Sequence, residues 1–262
     1  MKLLEKLNIQ NYKFNSIERF HLEAEATKQA YKIREENIGD PNFANFDLNE
    51  ILSDKNINEI YDNINLNSCS DIGNLNIPAH PETIYLTVVD KDLNSVSIIN
   101  SVCYVFGSGI TTNKTGILLH NRGTNFRVEH GHPNCIDGLK RPLHTIIPGM
   151  VIDKNNNATL SYGVMGGQYQ PVGQVHVLNN ILDYGMGPQE ALSFPRAFHF
   201  NNIYKLEETV DNKIFNGLKK IGHNVEFIEG THGGGQAIKI NRNEGDLIGG
   251  SDPRKDGYAK GY

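Results

Sequence analysis

The residue with the most specific chemistry in prospect is Thr83, which opens the β-rich run TIYLTVVD directly after a stretch rich in Ser, Asn, Gly and Pro. A threonine hydroxyl is a weak nucleophile at neutral pH. It gains a built-in base if its own α-amine is free, because that amine titrates near about 8. Chain cleavage between Glu82 and Thr83 would create this arrangement. The stiff χ1 of a β-branched residue would hold the hydroxyl in one direction. Threonine at the start of a strand is also commonplace, so spacing alone leaves the plain structural reading beside the catalytic one.

Other candidates are weaker. His130 and His132 in HGHP would share a face of a strand, but no Asp or Glu with metal-ligand spacing accompanies them. A polar loop is favoured over a metal site there. His144 fits a base or a structural hydrogen-bonder equally well. THGGGQ (231–236) lacks the spacing of a phosphate loop, so its glycines imply a tight turn or close backbone approach. There is no GxSxG elbow. In SDPR (251–254), Asp252 and Arg254 read as a turn that fixes the last strands. Cys69, Cys103 and Cys135 are odd in number and widely spaced, which suggests neither a disulfide framework nor a metal site.

The elements that must carry these residues follow from periodicity. Residues 16–37 read as an amphipathic helix with Ser16 as N-cap and Ile17, Phe20, Ala24 and Tyr31 on one stripe. Residues 39–47 read as a loop, with a short helix after it. Residues 66–81 are the best linker. TIYLTVVD (83–90) and SVSIINSVCYVF (95–106) form a hairpin around KDLN, and 149–165 forms a second one turning at Asn155–Asn157. Helices are expected over 174–185 and 206–222, ending at Gly185 and Gly222. VEFIE, QAIKI and DLIGG close the chain as strands. This order suggests an α+β domain with antiparallel sheets.

The formal net charge is −5, with no strongly basic segment; the densest run, Lys213–Lys220, is spaced like a solvated helix face. That argues against a nucleic-acid partner. No stretch approaches the roughly 18 apolar residues of a membrane span. The opening MKLLEKLNIQ lacks the apolar core of a signal peptide, which favours the cytoplasm.

Resemblance adds the decisive term. PETIYLTVVDKDLNSVSIINSVCYVFGSGI, GILLHNRGTNF, KRPLHTIIPGM, GVMGGQYQPVGQVHVLNNILDYGMGPQEALSFPR and GGSDPRKDGYAKGY resemble, in order, the small subunit of the γ-glutamyltranspeptidase family. ERFHLEAEATKQAYKIREENIGDPNF is similar to the end of that family's large subunit. The resemblance implies the four-layer αββα sandwich of the N-terminal-nucleophile hydrolases. It also implies self-cleavage between Glu82 and Thr83, dividing the chain into 1–82, the end of the large subunit with its linker, and 83–262, the catalytic subunit. It places the nucleophile at Thr83, supporting hydroxyls at Thr87 and Ser101, and the oxyanion-binding glycines at Gly166 and Gly167. Arg122 and Asn125 stand where the family binds a substrate α-amino group, and His144 and Thr145 where it binds the α-carboxylate.

Those last four positions depart from the family pattern, which has an uncharged or acidic residue then Asp in the first pair, and two serines in the second. Arg122 would repel an ammonium and attract a carboxylate. The expected substrate is therefore a γ-glutamyl or related dicarboxylic amide, with preference for an acyl group lacking a free α-amine. No metal or organic cofactor is expected. Only about the last eighty residues of a large subunit match, so the sandwich is expected to be incomplete. A partner carrying the missing N-terminal half, or a homo-oligomer, would then cover the exposed sheet. The alternatives are an unprocessed, inactive homologue and a His-based metal hydrolase.

Overall fold

The structure, a computed structural model, describes Met1–Pro78 and Thr83–Gly261. Glu82, on one side of the expected scissile bond, therefore lies outside the described residues. The helices are α1 (Lys2–Lys6), α2 (Ile17–Asn37), α3 (Leu48–Ile51), α4 (Asp54–Asp62), α5 (Gln170–Leu182), α6 (Pro188–Ser193) and α7 (Asn212–Ile221). The strands are β1 (Ile84–Val89), β2 (Ser95–Asn100), β3 (Gly149–Ile152), β4 (Ala158–Met165), β5 (Ala197–Phe200), β6 (Ile203–Glu207), β7 (Val225–Ile228), β8 (Gly234–Asn241) and β9 (Asp246–Ser251). No helix among the described residues is long and apolar enough to cross a membrane. The chain folds into two compact units, the first of which draws on segments from both sides of Thr83.

The first unit comprises Met1–Pro78, Gly123–His144 and Pro195–Gly230. In its sheet β6 lies between an antiparallel β5 and a parallel β7. Helix α2 packs on α7 and β5. Ser16 caps α2 by accepting from Arg19 N–H at 3.2 Å, as its position predicts. The helix is not amphipathic, however. Phe20, Leu22 and Ala24 are buried, and so are Arg19, His21, Glu25 and Lys28. Its polar side chains are buried because they pair: Lys28 Nζ donates to Glu25 Oε1 at 2.7 Å, and Arg19 Nε to Glu23 Oε1 at 2.9 Å. The linker is packed over part of its length. Ile77 is buried, Cys69 N–H donates to the Ile221 carbonyl at 3.1 Å, and Ser70 hydrogen-bonds Glu25.

The 206–222 stretch is not one helix. Leu206 pairs with Ala197 on one side and Phe227 on the other, and is fully buried. Helix α7 begins only at Asn212, after Asp211 accepts from Lys213 N–H at 2.7 Å, and it stops at Gly222 with φ +106°.

The second unit comprises Ala79–Arg122, Thr145–Phe194 and Thr231–Tyr262. Its antiparallel sheet has the order β3-β4-β8-β9, with the β1–β2 hairpin against β4 and β8. Helix α5 packs on β4, and α6 packs on β8 and β9. The core includes Tyr85, Leu160, Val164, Val177, Leu192 and Ala237. Gly163 lets the hairpin approach: a Cβ there would lie 2.3 Å from the Tyr85 ring. On the opposite face of the hairpin Ile84, Leu86, Val88, Val96 and Ile98 are exposed, Ile84 by 73%.

The second strand ends sooner than its composition predicts. β2 stops at Asn100, and 101–106 turns through Cys103 at φ +80° and Phe106 at φ +61°. The hairpin over 149–165 forms as expected, with Asn156 at φ +64° in its turn.

Candidate active site

Thr83 stands one residue before β1, whose register with β2 begins at the Ile84–Asn100 pair. Its Oγ1 accepts a hydrogen bond from Gln170 Nε2 at 3.1 Å. Gln170 is fully buried, is the first residue of α5, and precedes a proline in that helix's first turn. The threonine hydroxyl is therefore held at the N-terminal end of a 13-residue helix. Unpaired N–H groups and the partial positive end of the dipole favour developing negative charge there. Sequence reasoning missed Gln170. The Gln–Pro step was the available signal for where α5 begins.

Gly166 and Gly167 follow β4 and lead through a single 3-10 turn into α5. Both have positive φ, +130° and +57°. A Cβ at Gly166 would come within 2.7 Å of Gly233 Cα, and one at Gly233 within 2.2 Å of the Met165 carbonyl oxygen. The glycines of THGGGQ thus serve close backbone approach, as their composition suggests. This contact brings the β4–α5 turn against the start of β8.

The two supporting hydroxyls sit differently. Ser101 follows β2 directly after Asn100, the partner of Ile84. Its Oγ accepts from Cys103 N–H at 3.0 Å. Thr87 is four residues along β1, roughly 13 Å of strand rise from Thr83. Its hydroxyl bonds Ser161 Oγ at 2.6 Å. Next to that pair Tyr85 OH bonds Ser97 Oγ at 2.7 Å, and burial raises the phenol pKa. Any support Thr87 gives to Thr83 passes through the strand, whereas Ser101 follows the strand end that pairs with Ile84.

Of the four substrate-binding candidates, Arg122 and Thr145 fall in the second unit and are buried. Arg122 Nη2 reaches the Ser101 carbonyl at 3.5 Å, and its Nη1 has no hydrogen-bond partner among the described residues. Asn125 and His144 fall in the first unit. The Asn125 amide donates to the Leu143 carbonyl at 3.2 Å, and its own carbonyl accepts from Asn134 Nδ2 at 2.7 Å. His144 is exposed.

The histidines of HGHP lie in a turn, where His132 Nε2 is 3.8 Å from Glu35. A tighter grouping with metal-ligand chemistry is His21, Glu25 and His223, all buried in the first unit. Its atoms are engaged with one another and with the chain. His21 Nδ1 is 2.7 Å from His223 Nε2, His21 Nε2 donates to the Asn65 carbonyl at 2.8 Å, and the Glu25 carboxylate holds Lys28 and Ser70. The Lys28 ammonium supplies the positive charge a cation would bring.

At the end of the second unit Arg254 donates to the Leu192 and Phe194 carbonyls at 2.8 and 2.9 Å and to Asp252 Oδ1 at 3.2 Å. Asp252 N–H in turn reaches the Gly235 carbonyl at 3.0 Å, so SDPR ties the chain end to β8 and α6.

The family model for γ-glutamyltranspeptidase matches residues 1–262. The chain belongs to the γ-glutamyltranspeptidase family. It is 35% identical over 276 aligned positions to the glutathione hydrolase-like YwrD proenzyme of Bacillus subtilis, covering 100% of this chain and 50% of that protein. It is 32% identical over 250 positions to the oxamate amidohydrolase proenzyme of Klebsiella pneumoniae, covering 92% and 47%. The solved structure of cephalosporin acylase from Bacillus halodurans superposes with a TM-score of 0.84 at 33% identity, covering 99% of this chain and 49% of that one. The chain thus spans about half the length of the relatives it matches. Its α+β fold is that of the N-terminal-nucleophile hydrolases of this family.

Proposed function

We propose that this member of the γ-glutamyltranspeptidase family is the nucleophile-bearing part of an amidohydrolase or acyltransferase whose nucleophile is Thr83. The observation that carries the reading is the 3.1 Å hydrogen bond from Gln170 Nε2 to Thr83 Oγ1 at the start of α5. Such a bond fixes the direction of the hydroxyl and leaves its remaining lone pair for attack.

The chemistry begins with cleavage between Glu82 and Thr83, which separates 1–82 from 83–262 and frees the Thr83 amine. That amine accepts the hydroxyl proton as Oγ1 attacks the carbonyl carbon of a γ-glutamyl or related dicarboxylic amide. Amides at Gly166 and Gly167 stabilise the oxyanion; one such donor is worth roughly 3–4 kcal/mol. The protonated amine returns its proton to the leaving nitrogen, and the C–N bond breaks. Water, or an acceptor amine, then attacks the resulting ester and restores the threonine. Thr145, in the same unit as Thr83, contributes to holding the acyl group, and Ser101 supports the nucleophile from the end of β2. The exposed apolar face of Ile84, Leu86, Val88, Val96 and Ile98 is the surface that the remaining half of the sandwich covers.

Intact mass and N-terminal sequencing of purified protein test the reading. Two fragments are expected, one starting TIYLT, and Thr83→Ala is expected to remain a single chain. Its amide turnover should fall by about 10⁴-fold or more. An uncleaved wild-type chain without turnover would instead support the inert-homologue reading, and an uncleaved chain that turns over amides would defeat the mechanism.

A further inference from the structure

Only half of the Gln170 side-chain amide is engaged. Its Nε2 donates to Thr83 Oγ1 at 3.1 Å, but Oε1, on the same carbon, is buried with no hydrogen-bond partner among the described residues. The residue is fully buried at the first position of α5, so bulk water does not satisfy that oxygen. An unpaired buried acceptor is unfavourable, and buried polar atoms in native proteins are nearly all paired.

Cleavage before Thr83 would supply what this oxygen lacks. A peptide nitrogen offers one N–H, fixed in the peptide plane. The amine left by cleavage rotates freely and, once protonated, offers three, on an atom three bonds from Oγ1. A planar carboxamide that meets Oγ1 with one arm has its other arm within reach of the same threonine's nitrogen. The charges match as well. When the hydroxyl proton passes to the amine, negative charge develops on Oγ1 and positive charge on the nitrogen. Nε2–H opposes the first and Oε1 the second.

The surroundings favour a neutral acceptor in this role. The strands β1, β2, β4 and β8, the turn over 166–169 and α5 carry no Asp or Glu. Their ionisable groups are Tyr85, Tyr162, Tyr169, His176 and Lys239, with His232 stacked on Tyr169. Burial pushes the Tyr85 and Tyr162 phenols up, which keeps them uncharged at neutral pH. A neutral oxygen holds an ammonium less firmly than a carboxylate would, so the amine stays available as a base near neutrality.

We infer that Gln170 is a two-point clamp on the nucleophile: Nε2 holds the Thr83 hydroxyl, and Oε1 receives the amine that cleavage sets free. This rests on the Thr83 reading and adds the residue that guides the proton between those two atoms.

The test measures the freed amine directly and needs no turnover. Purified full chain is labelled with a trace of acetic anhydride over a series of pH values, and acetylation at the start of the TIYLT fragment is followed by mass spectrometry. Only the neutral amine reacts, so the midpoint is its pKa. Gln170→Glu puts a carboxylate at the amine and should raise the midpoint by at least about one pH unit. Gln170→Leu removes the acceptor and should lower it by roughly half a unit to one unit. A purely structural glutamine would not move the two midpoints in opposite directions. Unchanged midpoints, or shifts of the same sign in both variants, overturn the clamp and leave the nucleophile reading standing. Where Gln170→Leu does not fold or process, the near-isosteric Gln170→Glu decides alone. Wild type left uncleaved at the Glu82–Thr83 junction has no such amine, and then the nucleophile reading falls and the clamp with it.

Discussion

The two compact units treat buried charge in opposite ways. In the first, Lys28 sits 2.7 Å from Glu25, Arg19 2.9 Å from Glu23 and Arg141 3.0 Å from Asp40. In the second, Arg254 has Asp252 at 3.2 Å, but Arg122, equally removed from water, has no acidic partner among the described residues. Paired charges of the first kind hold elements together and have no capacity left for a ligand. A buried guanidinium without an acidic partner among the described residues contributes little to folding. Burial by itself thus says nothing about role; completion of the pair does.

The contrast can be broken most sharply at Lys28. Lys28→Met takes the ammonium from the buried Glu25 carboxylate, and removing one partner of such a pair should cost about 3–5 kcal/mol in urea unfolding. A change below about 1 kcal/mol would show that the cluster is not a structural device. Acid provides a second probe of the same unit. Burial, followed by repulsion from Lys28, pulls His199 and His223 down to about 3. Their unfolded-state value is near about 6.5, so between those limits the unfolded chain binds more protons and stability rises with pH. The contribution is complete above pH 6.5 and is lost as pH falls toward 3, by up to about 1.4 kcal/mol per pH unit for each histidine. Denaturation midpoints at pH 5 and pH 7 check this, and His223→Asn should flatten the slope.

In the second unit the expected effects appear in turnover before they appear in stability. Gln170→Ala removes the donor to Thr83 and should lower kcat by roughly 10- to 100-fold while the fold persists, the range expected for one buried hydrogen bond. An unchanged kcat would mean that the threonine is oriented by other contacts. Smallest, and opposite in sign to Lys28→Met, is Arg122→Leu. Replacing an uncompensated buried charge by an apolar residue should leave stability unchanged or raise it by about 1–2 kcal/mol. A loss comparable to that of Lys28→Met would erase the distinction between the units.

Local punctuation made much of the fold legible in the sequence. Ser16 starts its helix with a hydroxyl cap, Gly222 stops its helix because it has no Cβ to oppose a positive φ, and both hairpins are written in β-branched runs around polar turns. The failures share a cause: sheet and core contacts overrode local preference. Leu206 and Glu207 favour helix in isolation, but Leu206 is claimed by strands on both sides. VCYVF reads as strand, yet the chain has to turn at Cys103 to bring Ser101 and Arg122 together. On α2 the charged residues look solvent-facing because their partners, among them Ser70 and His223, lie far away in sequence. At the candidate site, resemblance pointed to Thr83 and the glycine pair. Gln170 was not, because a buried glutamine has no spacing signature and only its bond to Thr83 reveals it.

The pairing of β1 with β2 begins one residue after Thr83 and runs on for six consecutive partners. A severed backbone end generally frays and wanders over several ångströms. An end that emerges straight from a ladder has a single residue of slack, so a nick at this point would create a terminus already anchored in place. The hairpin thereby acts as a mooring. The precision with which a freed amine and its own hydroxyl face a bound amide would be inherited from strand pairing laid down before the peptide bond is cut, with no later rearrangement required.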